Sequence, residues 1–213
     1  MADDLSFPPA LADGYRAFLD DRFVREQDRY ASLAEGQSPE ILIISCCDSR
    51  VSPEVIFDAR PGELFVVRNV ANLVPPFETG GGLHGVSAAL EFAVTVLKVD
   101  EILVLGHGAC GGVKAALSGD LKDAAPGEGG FVASWIKLLD DARAKVIAEH
   151  GKTPEGQTAL EQEGVRTSLK NLMTFPFVKE RVEAGTLELH GAVFAIADGK
   201  LRVLQDSGAF EAA

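Results

Sequence analysis

The chain has 213 residues, 46% of them hydrophobic, and 20 Lys+Arg against 32 Asp+Glu give a net charge of −12. That length suits one well-packed domain with both faces of a sheet covered. The negative charge repels phosphate backbones and anionic membrane surfaces, which argues against nucleic acid or a membrane as partner.

The opening MADDLSFPPA has no basic region followed by an apolar stretch, and no apolar run approaches the roughly 18 residues that cross a bilayer, so a soluble cytoplasmic protein is expected. Three cysteines, an odd number without the spacing of a small disulfide scaffold, read as thiols open to a metal or a reaction in a reducing compartment. Residues 8–34 carry Leu11, Tyr15, Phe18, Leu19 and Phe23 near helical spacing among charges, which predicts an amphipathic helical arm whose apolar stripe needs cover. After EGQSPE, the run ILIIS (41–45) is continuous and β-branched, as in a strand buried on both faces of a parallel sheet.

Ser52 and Pro53 predict the N-cap and first position of a short helix, and PGELFVVRN (61–69) predicts a turn and a second strand. The glycines at 80–82 lead into a long apolar helical pattern; no Lys-Ser/Thr follows them, so they read as a hinge and helix start rather than a phosphate cradle. EILVLG (101–106) is a third strand, in the strand, helix, strand order of a right-handed parallel crossover. CGGVKAAL begins another helix, residues 129–150 and 157–183 read as mostly helical, and 186–205 as two strands joined at Asp198-Gly199. The expected fold is α/β: an open, mainly parallel sheet of four parallel strands plus a C-terminal antiparallel strand, flanked by helices. Residues 1–36 form the arm and 37–213 the core of a single domain.

Strands one and three end in the polar turns SCCDSR and GHGACGG. In an open parallel sheet, strand carboxyl ends share one edge and ligands bind where strand order reverses, which places residues 46–50 beside 107–111. His107-x-x-Cys110 is a chelating pair, and one cysteine from the other turn completes a Cys₂His set. Such a set suits zinc and leaves a fourth position open. If the first turn is still extended, Cys46, Asp48 and Arg50 point one way, and Cys47 and Ser49 the other. Cys46 is then the ligand, and Cys47 packs as a small apolar residue. The planar fork of Arg50 suits the Asp48 carboxylate, holding it ionised as an acceptor beside zinc-bound water. Two thiolates and an imidazole leave zinc formally neutral, so it polarises water less than a three-histidine site and gains more from such an acceptor. Bound directly to the zinc, the same carboxylate closes the site.

CCDSR with HGAC, together with PGELFVVRNVANLVPP and GACGGVKAAL, resembles the β-class carbonic anhydrases, whose pattern is Cys-x-Asp-x-Arg followed by His-x-x-Cys. The resemblance runs from Gln37 to Lys114, and more weakly through FPFV and LELHG. It implies a carbonate dehydratase: zinc-dependent reversible hydration of carbon dioxide to bicarbonate and a proton by attack of zinc-bound hydroxide. One zinc per chain is held by Cys46, His107 and Cys110, with Asp48 and Arg50 as the catalytic dyad. It further implies a homodimer or dimer of dimers, with active sites at the subunit interface and the N-terminal helices wrapping the partner. The plant-like group carries a glutamine nine positions before the first ligand, here Gln37, which helps bind substrate across the interface. Another group has a tryptophan three positions before that ligand, where this chain has Ile43. Phe65 and Val70 match apolar positions lining the carbon dioxide pocket, and Gly111 offers a backbone N–H to substrate oxygens. Phe92 follows Glu91 where the plant-like group often has a tyrosine.

Rival readings are a hydrolase of a related linear substrate such as carbon disulfide, a thiol redox protein using Cys46 and Cys47, and a zinc-binding interaction module closed by Asp48. Adjacent cysteines form only a strained disulfide, which weighs against the redox reading. His84, His150 and His190 lack metal-ligand spacing, and His84 is the candidate proton shuttle. Arg68 reads equally as a partner for a carboxylate near an interface or as a solvated strand-end charge.

Overall fold

A computed structural model describes residues 7–80 and 82–213; Gly81, within the glycine run, and the first six residues lie outside the described set. The chain divides into two compact units, Met1–Ser38 and Pro39–Ala213.

In the first unit, α1 (Pro9–Ala17) runs into a π-helical turn over Phe18–Phe23, and α2 (Gln27–Glu35) follows. The helix expected over 8–34 is thus broken at Glu26, where φ is −111° and ψ 15°. Helical spacing survives the break well enough to gather the rings of Phe18, Phe23 and Tyr30, with the Phe18 and Tyr30 centroids 5.7 Å apart and edge-on. Leu11 and Tyr15 remain exposed.

The second unit is built on a sheet of six strands among the described residues, in the order β2-β1-β3-β4-β5-β6. β1 (Ile41–Cys46), β2 (Leu64–Asn69), β3 (Glu101–His107) and β4 (Glu188–Ala195) are parallel. β5 (Lys200–Leu204) turns back at Gly199, with φ 69°, and β6 (Phe210–Ala212) pairs antiparallel with it. Among the described residues the sheet therefore has one C-terminal strand more than the sequence promised, β6, which runs against β5. A three-residue edge strand at the chain's end is too short to leave a periodic pattern.

The helices are α3 (Pro53–Ile56), α4 (Gly85–Glu91, continued by a π-helical turn over Phe92–Leu97), α5 (Gly111–Ser118), α6 (Gly130–Ile136), α7 (Asp140–His150), α8 (Pro154–Leu172) and α9 (Pro176–Glu183). The stretch 157–183, expected to be mostly helical, falls in two helices, because Pro176 cannot donate into a continuing helix and instead starts α9 at its first position. Ser52 and Pro53 open α3 as the sequence implies, although Ser52 turns its hydroxyl to Glu54 Oε2 at 2.8 Å rather than capping the backbone.

β1 is buried on both faces. Leu42 and Ile44 join Ile102, Val104, Leu90, Val94 and Leu172 in one core, while Ile43 joins Leu105 and Ala192 in another. A third cluster joins Cys46 and Cys110 to Val113, Leu139 and Leu160. Burying each of these aliphatic side chains contributes about 1.5–3 kcal/mol. α8 lies close on β3 and β4: a Cβ at Gly106 or at Gly191 would come within 2.8 Å of a Val165 methyl, so a larger residue at either position pushes the helix off the sheet. Among the described residues, no helix is long and apolar enough to cross a membrane.

Candidate active site

The chain runs from β1 outward to β2 and then returns to β3 on the other side of β1. This is the point where strand order reverses, and crevices form there at the carboxyl ends of the strands. Cys46 is the last residue of β1 and His107 the last of β3, while Cys110 is the N-cap of α5. One potential ligand atom from each of these three buried residues lies within 4.8 Å of the others.

Their chemistry fits a zinc ion. A tetrahedral zinc about 2.3 Å from each sulfur spaces two sulfurs about 3.8 Å apart; Cys46 Sγ and Cys110 Sγ are separated by 3.9 Å. His107 Nδ1 is 2.9 Å from the Gly108 carbonyl, an acceptor only, so the proton sits on Nδ1 and the lone pair on Nε2. Nε2 is buried and has no hydrogen-bond partner, a cost that a metal removes. The thiols are electronically paired. The Cys110 hydrogen bond outweighs burial, and with help from His107 pulls the Cys46 thiol down to about 4. The same bond, with burial, pushes Cys110 up. Burial alone would lower the His107 pKa, but the nearby Cys46 sulfur and its charge outweigh it and raise it.

Asp48 stands beside this set without joining it. Arg50 grips it in a two-point fork, Nε to Oδ1 at 2.9 Å and Nη2 to Oδ2 at 2.7 Å, and the Arg50 backbone N–H adds a third bond of 3.0 Å to Oδ1. These bonds hold the Asp48 carboxyl well below the usual carboxylate range. Oδ2 lies 3.9 Å from His107 Nε2, so the ionised carboxylate borders the position the three ligands enclose. Arg50 Nη2 also donates to the Ala109 carbonyl at 3.1 Å, tying the two loops together. Ala109 holds φ 54°, a left-handed conformation that costs a residue with a Cβ, at the turn that returns Cys110 to the site.

Two supporting contacts escaped the sequence. Glu161 of α8 is buried and accepts the Cys110 backbone N–H at 3.0 Å and the Gln157 amide at 3.0 Å; burial pushes its carboxyl up against those bonds. The clue was a charged residue on the otherwise apolar stripe of Leu160, Val165 and Leu172. Arg68 is exposed near the end of β2, as one of its two readings had it, and binds backbone carbonyls of the first turn.

The remaining expected residues separate into groups. Val70 lines a largely apolar cavity of about 440 Å³ with Asn69, His84, Phe131 and Trp135, and Gly111 opens α5 directly after Cys110. His84 lies at the start of α4, its Nε2 3.1 Å from the Gly80 carbonyl, and is not among the clustered ligands. Phe65 and Phe92 face each other, with centroids 5.9 Å apart. Phe65 sits four residues before Asn69, the partner of Cys46, which is about 13 Å down the strand from the metal-site level. The chain therefore does not bring this pair to its own ligand cluster. Gln37 is exposed in the first unit. Cys47 is exposed, contrary to the expected packing, because its backbone N–H bonds the Asn69 carbonyl beyond the last buried rung.

Residues 41–201 match the carbonic anhydrase family model. Beta carbonic anhydrase 3 of Arabidopsis thaliana is 38% identical over 191 residues, covering 89% of this chain and 73% of the relative. The structure of the β-carbonic anhydrase CcaA superposes with a TM-score of 0.89 at 32% identity, covering 96% of this chain and 98% of that one. A tetrameric β-carbonic anhydrase from the filamentous ascomycete Sordaria macrospora superposes with a TM-score of 0.78 at 31% identity, covering 92% and 95%. Joined to a buried Cys₂His cluster at the switch point of a mainly parallel sheet, these likenesses establish that the chain belongs to the β-carbonic anhydrase family, whose members are zinc-dependent carbonate dehydratases.

Proposed function

We propose that this protein hydrates carbon dioxide reversibly to bicarbonate at a zinc centre held by Cys46, His107 and Cys110, with Asp48 and Arg50 directing the attacking water. The observation that carries the reading is the ionised Asp48 carboxylate, clamped by Arg50 alongside the buried ligand set instead of within it. Zinc supplies the Lewis acidity that makes water an effective nucleophile near neutral pH.

The chain does the rest. Asp48 Oδ2, with no proton of its own, accepts a hydrogen from the attacking water and so aims its lone pair at the carbon. Arg50 keeps that carboxylate from turning to the metal. Carbon dioxide is small, linear and uncharged, so apolar walls around Val70 suit it. The Gly111 N–H, at the start of α5, meets the negative charge that develops on its oxygens.

The separation of Phe65 and Phe92 from the ligand cluster of their own chain supports sites completed by a partner protomer, in a homodimer or dimer of dimers with residues 1–36, Gln37 following them, as an arm on the partner. The tetrameric Sordaria relatives support such an assembly. Ligating thiolates suit a reducing compartment, which supports a cytoplasmic setting.

Metal analysis with stopped-flow carbon dioxide hydration tests the reading. One zinc per chain is expected, and Asp48→Ala should keep the metal while losing at least about 100-fold in rate. Full activity in a zinc-free preparation, or in Asp48→Ala, would refute it.

A further inference from the structure

Asp48 and Cys46 are carried by a turn of irregular backbone, so something must fix the shape of that turn. β2 runs beside it in parallel, with Ser45 opposite Arg68 and Cys46 opposite Asn69. From this position the Arg68 side chain reaches across the strand pair. Its Nε donates to the Cys46 carbonyl at 2.9 Å, and its Nη2 donates to the Asp48 carbonyl at 2.6 Å and to the Val51 carbonyl at 3.4 Å. The Asp48 carbonyl also accepts the Val51 N–H at 3.1 Å, which closes the turn. One guanidinium thus spans the turn from the residue bearing a metal ligand, through the residue bearing the carboxylate, to the residue that ends it.

We infer that Arg68 is a positioning residue of the zinc centre: it fixes the backbone on which Cys46 and Asp48 are mounted. The inference rests on the carbonic anhydrase reading for what the positioned groups do. Arg50 and Arg68 divide the task. Arg50 orients the Asp48 side chain and ties it to the Ala109 carbonyl, whereas Arg68 orients the main chain from the other side and touches neither ligand atom nor carboxylate. The role calls for arginine. Several donors in one rigid plane can serve divergent carbonyls at once, while an ammonium on a flexible stem is a single point that cannot hold their relative orientation. Arg68 is exposed and binds only backbone carbonyls here, so its loss releases the turn and leaves the apolar core intact. The turn is freed while the fold persists.

The test compares full-length Arg68→Ala and Arg68→Lys with the wild type in four readouts. These are thermal midpoint, release of zinc to a chelator, the visible spectrum of the cobalt-substituted protein, and carbon dioxide hydration with and without millimolar guanidinium. Arg68→Ala should melt close to the wild type, release zinc faster and lose rate by about 10- to 100-fold, the range found for groups supporting metal ligands. Its thiolate-to-cobalt bands should shift, and guanidinium should restore part of its rate but none of that lost in Asp48→Ala. Arg68→Lys should fall between. Wild-type zinc release, cobalt spectrum and rate in Arg68→Ala overturn the inference, and a rate loss that follows the melting temperature alone does so too. If Arg68→Ala does not fold, Arg68→Lys decides by the same readouts. A wild-type protein that holds zinc without hydrating carbon dioxide removes the functional reading instead, and zinc release and the cobalt spectrum still judge Arg68.

Discussion

Alanine at Gly112 would place a methyl carbon 2.7 Å from Val70 Cγ1 and 3.1 Å from Ala71 Cβ. Carbon atoms are in best contact at about 3.5–4.0 Å, so the overlap with Val70 is about 1 Å. Neither neighbour can yield easily. Val70 is β-branched and short of rotamers. Ala71 and Asn72 are buried and both hold positive φ, 63° and 50°, so the turn has little freedom left. The displacement must fall on the start of α5, two residues after Cys110. Overpacking of this kind costs about 1–3 kcal/mol, of which the better helix propensity of alanine offsets at most about 1 kcal/mol. For a chain of this size each kcal/mol moves the melting midpoint by about 2–4 °C, which gives a fall of up to about 12 °C. Gly111→Ala is the control: nothing lies within 4 Å of its added methyl, and its stability should stay within about 0.5 kcal/mol of the wild type. Calorimetry of the zinc-loaded proteins measures both, and hydration assays should show Gly112→Ala slowed as well. If Gly112→Ala melts with the wild type, or Gly111→Ala proves the more damaging, the close approach of α5 to the Val70–Asn72 turn is wrong.

The two adjacent cysteines should part company: Cys46→Ser loses zinc and Cys47→Ser keeps it, as read by metal analysis of the purified proteins, and the reverse pattern places the ligand one residue later. The folded-state pKa of Asp48 is depressed by Arg50, so its charge contributes above the unfolded value of about 3.9 and is lost only as pH falls through the lower folded value. Arg50→Gln returns Asp48 towards the ordinary range, and the acid limb of its pH–rate profile should therefore begin at higher pH; superimposable limbs for the two proteins contradict this. Glu161→Leu strands the buried Cys110 N–H and should cost about 1–3 kcal/mol in urea denaturation, with Glu161→Gln, which keeps an acceptor oxygen, costing less. Equal losses in the two variants would show that the charge matters, not the hydrogen bond.

The sequence carried much of the site because its chemistry is local. His107 and Cys110 lie three positions apart, and Cys46, Asp48 and Arg50 occupy alternate positions on one turn, so spacing alone paired the carboxylate with its arginine. The strand ends placed the two turns on one sheet edge, since ILIIS and EILVLG read as buried strands of one parallel sheet, whose carboxyl ends share an edge. The break at Pro176 was also written in the chain, within a stretch that reads as mostly helical. What distant segments decide was not legible. Glu161 comes from a helix 51 residues after Cys110, and no local pattern says that its carboxylate meets that N–H. Cys47 is exposed because of where β2 ends, and Arg68 faces the first turn because β1 and β2 pair in a particular register. The sequence by itself determined which residues could bind zinc and orient water, because residue type and spacing set donor chemistry. Only the tertiary structure decided what holds them in place, because those hydrogen bonds join backbone groups whose identity no side chain reveals.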